Sequence, residues 1–211
     1  MTETQFQTIE AYMLQCVKDS AHDAEHIYRV LQNAKIIAKA ENNVNEDILI
    51  TACLLHDIGR PEQFADPSLC HAQIGAEKAK TFLTGLGLET AFIEAVCHCI
   101  RTHRFSNRVT PQTIEAKILF DADKLDVTGP LGIARTLQFQ GKHDYPLYTR
   151  LSDGSIANAE DAEKSFFQEY HRKLKKLYDG FLTKEGARIA DTYRTAGEAF
   201  VDALYRQISG N

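Results

Sequence analysis

The most constraining stretch of this chain is Ile48-Leu49-Ile50-Thr51-Ala52-Cys53-Leu54-Leu55, which runs directly into His56-Asp57-Ile58-Gly59. Helical spacing places Leu49, Ala52, Cys53 and His56 on one stripe, and Ile50, Leu54 and Asp57 on the next. A helix that is apolar on so many sides is buried rather than half exposed. The imidazole and carboxylate at its end must therefore pair, hydrogen-bond or bind a metal, because an unpaired buried charge is too costly. A satisfied core histidine beside a helix-ending aspartate is the plainer alternative, and the rest of the chain has to decide between them.

Before that stretch, Phe6, Ile9, Met13 and Val17 mark an amphipathic helix from Glu3 to about Lys18. A second helix runs from near His22 to Ala40, with Ile27, Val30, Leu31, Ala34, Ile37 and Ala38 as its apolar face and His26 at the margin of that face. Glu41-Asn42-Asn43 ends it, and Asn43 or Asn45 can cap the helix that delivers His56-Asp57. Gly59-Arg60-Pro61 reads as a helix break followed by a polar loop over residues 60–70.

Further helices are predicted from about His71 to Leu83, from Glu89 to about His103, and from Pro111 up to Asp121-Ala122-Asp123-Lys124-Leu125-Asp126. Gly129-Pro130 interrupts, Leu131 to Phe139 forms another helix, and about Ala159 to Ile208 reads as two long helices broken near Gly180. The run His171-Arg172-Lys173-Leu174-Lys175-Lys176 reads first as a solvated helix face around Leu174 and Leu177, with phosphate binding as the alternative. With no period-2 strand, internal repeat or low-complexity linker, the expected fold is all-α.

A chain of 211 residues is long enough for one large core. A net charge of −5 and an isoelectric point near 5.9 argue against a nucleic-acid polymer or an anionic membrane as partner, though not against a local pocket for one phosphorylated molecule. The five cysteines are scattered and form no CxxC pair, so reduced core thiols and a cytoplasmic location are expected. The polar start Met1-Thr2-Glu3-Thr4-Gln5 does not read as a signal peptide, and no segment is apolar enough to span a bilayer.

Three helices thus carry metal-type ligands: His26, His56-Asp57 and Asp121/Asp123. Two imidazoles and two carboxylates around one divalent ion would relieve the burial cost together. A mixed nitrogen and oxygen set suits Mn, Fe, Co, Ni or Zn better than Mg, which prefers oxygen octahedra with several waters.

This pattern resembles the H…HD…D signature of the HD-domain metal-dependent phosphohydrolase superfamily. His22-Asp23-Ala24-Glu25-His26-Ile27-Tyr28-Arg29-Val30 resembles the first motif, Leu54-Leu55-His56-Asp57-Ile58-Gly59 the second, and Phe120-Asp121-Ala122-Asp123-Lys124-Leu125-Asp126 the last. The likeness continues through Gly132-Ile133-Ala134-Arg135-Thr136 into the C-terminal helices, and the chain looks like a small bacterial HD-hydrolase subgroup. It implies a single HD-type helical bundle over residues 1–211, with a metal-binding core at about 20–128 and C-terminal helices at about 129–211 covering it.

The resemblance implies His26, His56, Asp57 and Asp123 as metal ligands, with one ion per chain or two. His22 competes as a ligand by spacing and is otherwise an orienting neighbour. Asp121 points to another side of the helix than Asp123, and Asp126 is read as a supporting or ion-pairing partner.

His71 and His103 are ranked first for phosphate contact or proton transfer beside Asp57; next, by the resemblance, His71, His98 and His103 would be ligands of a second ion bridged by Asp57. His98 stands between substrate contact and packing. It lies five residues before His103, roughly 140° around a helix, so the two cannot share one ion unless the helix frays. Lys124 and Arg60 are the leading phosphate-gripping cations, with Arg104 behind them, and the spacing leaves Glu62 without a clear role. The expected activity is hydrolysis of a phosphoester or phosphoanhydride bond in a nucleotide or related metabolite. Two alternatives stand: a di-iron oxygenase, or a non-catalytic nucleotide-binding module. A homodimer through the terminal helices is compatible with the same pattern.

Overall fold

The structure is a computed structural model, and it describes residues 1–17, 24–104, 109–158 and 164–210. The readings placed on His22 and Asp23, on Lys18 and on Ala159 lie outside these residues. The chain divides into two compact units, Met1–Asp123 and the segment from Lys124 on. Among the described residues there is no strand, only an isolated antiparallel bridge between Arg150 and Ile156, so the fold is all-α as expected. No described helix is long and apolar enough to cross a membrane.

The first unit is built around the apolar run. Helix α1 (Glu3–Cys16) is opened by a capping box between Thr2 and Gln5, and α2 spans Ala24–Ala38. Helix α3 (Glu46–Leu55) starts at Asn45, whose side chain accepts from the amides of Asp47 and Ile48. Leu49, Thr51, Ala52, Cys53, Leu54 and Leu55 of α3 are all buried, because the helix packs on α1, α2, α5 (His71–Gly85) and α6 (Thr90–Thr102). Small residues Ala72, Gly75, Ala76 and Ala79 form the buried face of α5, which packs closely on α6. Helix α7 (Ile114–Leu125) climbs to Asp123, the last residue of this unit.

One predicted loop is a helix. Residues Arg60–Ala65 form a short α4, with Pro61 inside its first turn rather than ending anything. Proline is tolerated there, because the first turn's N–H groups have no intrahelical partner to lose. Gly59, just before it, has no room for a side chain. A Cβ would meet the His71 carbonyl oxygen at 2.3 Å and the Gly75 nitrogen at 2.6 Å, both backbone atoms of α5. That close approach brings the HD turn against the start of α5.

The second unit contains α8 (Gly129–Lys142), α9 (Phe166–Arg172), a 3-10 turn at Leu174–Lys176, and α10 (Lys184–Ser209). Its core gathers Ile133, Ile156, Phe166, Phe167, Tyr170, Leu174, Leu177 and Val201. The helices break before Gly129-Pro130 as expected, and the pair itself opens α8, again with proline in the first turn. Among the described residues, the last third holds one long helix rather than two. After Ser165 caps α9, the backbone leaves helical geometry at Lys173, and the basic run continues as a turn whose only buried anchors are Leu174 and Leu177.

Candidate metal centre

Two helices end in histidines by the same device. His56 and His103 are the C-terminal cap residues of α3 and α6. The last carbonyls of a helix lack intrahelical partners. His56 Nδ1 donates to the Cys53 carbonyl at 2.7 Å, and His103 Nδ1 donates to the Ile100 carbonyl at 2.6 Å. A carbonyl can only accept, so each ring carries a proton on Nδ1 and turns Nε2 inward, a lone pair in the neutral ring.

His71, at the first turn of α5, is fixed in the same sense by a side chain. The Gln63 amide nitrogen donates to the Leu69 carbonyl at 2.9 Å, which leaves Gln63 Oε1 to accept from His71 Nδ1 at 2.8 Å. The inward atoms then converge. His26 and His56 Nε2 lie 3.3 Å apart, and His71 and His103 Nε2 lie 3.2 Å apart.

Asp57 sits between the two pairs, fully buried. Its Oδ2 lies 3.6 Å from His26 Nε2 and 3.8 Å from His56 Nε2, while its Oδ1 lies 3.5 Å from His71 Nε2 and 3.6 Å from His103 Nε2. Asp123 closes the first group, with Oδ1 3.3 Å from His26 Nε2 and 3.9 Å from His56 Nε2. Two ligand clusters result, His26/His56/Asp123 and Asp57/His71/His103. All six residues belong to the first unit. Asp123, 22% exposed, is the member on the solvent side, since the other five are at most 2% exposed.

The electrostatics follow from this packing. Burial pushes His56 down to about 4 and His71 down to about 2, so both rings are neutral near pH 7 and able to act as ligands. Burial pushes the Asp57 carboxyl up, but the surrounding imidazoles, His56 foremost, and the Arg60 guanidinium outweigh it and hold the group well below the usual carboxylate range. Asp123 behaves alike, with His26 and His56 overcoming the burial penalty. Asp57 Oδ2 nonetheless has no hydrogen-bond partner. A buried anionic oxygen without a donor, set among imidazole nitrogens, is matched by a cation at that position. The donor set therefore fits a divalent ion.

The other sequence candidates are spread more widely. Arg60 Nε donates to Asp57 Oδ1 at 2.9 Å, which puts it at the cluster. Arg104 reaches the sulfur of Cys70 at 3.9 Å. His98 is not brought to the cluster, because its Nε2 accepts from the Gln112 backbone amide at 3.2 Å. Lys124 Nζ donates to the Asp179 carbonyl at 2.8 Å and lies 4.7 Å from the Phe181 ring centroid, all within the second unit. Asp126 is ion-paired with Arg135, as expected of it. Glu62 accepts from Lys78, which also donates to the Ile58 carbonyl. Asp121 is buried. Gln63 is the residue sequence reasoning missed; its one signal was a proline two residues earlier that starts a helix.

Residues 23–128, half of the chain, match the HD domain family. The chain belongs to that family. HD domains bind divalent metals, in keeping with the clusters above. It is similar to the uncharacterized protein YpgQ of Bacillus subtilis, 28% identical over 197 residues that cover 92% of this chain and 87% of YpgQ. The crystal structure of YpgQ in complex with ADP aligns with a TM-score of 0.75 at 26% identity, over 97% of this chain and 98% of that one. A predicted HD superfamily hydrolase from an uncultured Thermotogales bacterium aligns at 0.64 and 26% identity, over 97% and 92%. An HD-superfamily hydrolase from Bacillus thuringiensis shares the fold at 0.77 and 24% identity, over 99% of both chains. Family and fold together support a metal-dependent hydrolase.

Proposed function

We propose that this HD protein is a metal-dependent phosphohydrolase that cleaves a phosphoester or phosphoanhydride bond in a nucleotide or closely related metabolite. The observation that carries the reading is the Asp57 carboxylate, whose two oxygens address two separate pairs of inward-facing imidazoles. His26, His56, Asp57 and Asp123 hold one divalent ion of the Mn, Fe, Co, Ni or Zn type. Asp57 with His71 and His103 holds a second, so the two later histidines act as ligands ahead of any direct phosphate contact. A bound ion of this kind supplies Lewis acidity that makes water more acidic and polarises a phosphoryl oxygen.

The chain's own residues do the rest. Cys53 and Ile100 carbonyls and the Gln63 amide keep three rings with Nε2 inward, so the ligand set is preorganised before anything binds. Arg60, 21% exposed, is placed to neutralise phosphate oxygens at the solvent side. Its planar fork suits bidentate contact better than a lysine would. The ADP bound to the similar protein YpgQ supports a nucleoside phosphate as ligand here. Five cysteines that form no disulfide among the described residues support a cytoplasmic location.

A screen of phosphate release over nucleotides, with Mn, Co, Ni and Mg added in turn, tests this reading. Release from nucleoside phosphates that disappears in Asp123→Ala is the expected result. No release from any nucleotide by ion-loaded protein would overturn it. A second reading, an oxygenase with two irons, draws on the same Asp57/His71/His103 cluster. Two irons per chain in anaerobically purified protein, with oxygen consumption and no phosphate release, would favour it.

A further inference from the structure

Asp57 Oδ1 is claimed from two sides. His71 and His103 Nε2 approach it at 3.5 and 3.6 Å, and Arg60 Nε donates to it at 2.9 Å. The same guanidinium reaches Gln63 Oε1 through Nη1 at 3.3 Å, and that oxygen also accepts from His71 Nδ1 at 2.8 Å. One arginine therefore contacts both the carboxylate oxygen and the amide that orients the neighbouring ring. Guanidinium keeps its positive charge at every accessible pH. Any ion held by Asp57, His71 and His103 meets that charge at close range.

We propose that Arg60 is an exchangeable counter-cation of this second ion position. It holds Asp57 Oδ1 while the position is empty and turns to an anionic ligand, a phosphate group, when the ion loads. Gln63 is a positioning residue. It keeps the His71 proton on Nδ1 whichever cation is present, because its own orientation is fixed by the Leu69 carbonyl. The proposal rests on the two-ion reading above, and it assigns opposite signs to two residues one helical turn apart. Removing the Arg60 charge strengthens the second ion and weakens phosphate. Removing the Gln63 acceptor weakens the second ion.

Calorimetric titration of the metal-free full chain with Mn²⁺ alone, followed by inorganic phosphate, reads all of this without turnover. Wild type is expected to show two binding events. Arg60→Gln should tighten the weaker event by about tenfold or more while loosening phosphate. Arg60→Lys keeps the charge and should leave the second event near wild type. Gln63→Leu should loosen the second event by about tenfold or more and spare the first. A purely structural role for either residue would move the melting temperature without splitting the two events. Two events in wild type with no tightening in Arg60→Gln would overturn the exchange. A single event in wild type would overturn the two-ion reading itself, and the exchange with it.

Discussion

The Nε2 atoms of His71 and His103 face each other at 3.2 Å, with both Nδ1 atoms already donating, to Gln63 and to the Ile100 carbonyl. A neutral ring whose Nδ1 carries the proton has none to place between the two nitrogens, and burial holds His71 in that neutral state. A cation beside Asp57 Oδ1 would match the His71 lone pair there. The same arrangement separates the roles of histidines that look alike in sequence.

His71→Ala and His98→Ala are accordingly expected to differ. The first removes a member of the Asp57/His71/His103 cluster and should lower the metal content from two ions per chain to one. The second removes only an acceptor for the Gln112 amide and should leave both ions in place. Elemental analysis of the two purified variants makes the comparison. Equal ion loss in both would contradict the assignment.

Gly59→Ala should destabilise the protein through backbone collision. The added Cβ meets the His71 oxygen at 2.3 Å and the Gly75 nitrogen at 2.6 Å, and neither atom can move without shifting α5. Overpacking of this kind costs about 1–3 kcal/mol. At about 2–4 °C per kcal/mol for a chain of this size, the thermal midpoint should fall by several degrees. Because α5 begins with His71, ion affinity should fall as well. Circular dichroism melts with and without Mn²⁺ read both effects, and an unchanged midpoint would contradict the packing argument.

Lys124→Met should act on stability. Its ammonium is buried against the Asp179 carbonyl and the Phe181 ring, and charge-assisted contacts of that kind contribute about 1.5–3 kcal/mol. Calorimetric melting should show a lower midpoint, with the KM for a nucleotide substrate unchanged. A raised KM at unchanged stability would return Lys124 to the phosphate-gripping role its sequence position invites.

The sequence made the core and part of the site legible, for physical reasons that differ by residue. The α3 run was readable because near-continuous apolarity has few solutions besides burial, and His56-Asp57 at its end had to be satisfied by something. His26 and Asp123 were found as ligand types on apolar helices and through the family pattern.

His71 and His103 were legible as candidates, and their pairing at a second ion ranked behind phosphate contact, since it depends on two helices meeting across 32 residues of chain. Gln63 was missed because Pro61 was read as a breaker, when in a first turn it begins the helix that carries Gln63 to His71. The carbonyls of Cys53 and Ile100 leave no trace in sequence, because every residue has one. The basic run at His171–Lys176 was readable as a solvated face because Leu174 and Leu177 alone are apolar there.

The most direct test of the central claim is the metal content of Asp57→Ala beside wild type, measured by elemental analysis after loading with excess Mn²⁺ and desalting. Asp57 offers one oxygen to each cluster, so its loss should empty both positions and take the protein from two ions per chain to none or a trace. Retention of both ions in Asp57→Ala would contradict the account.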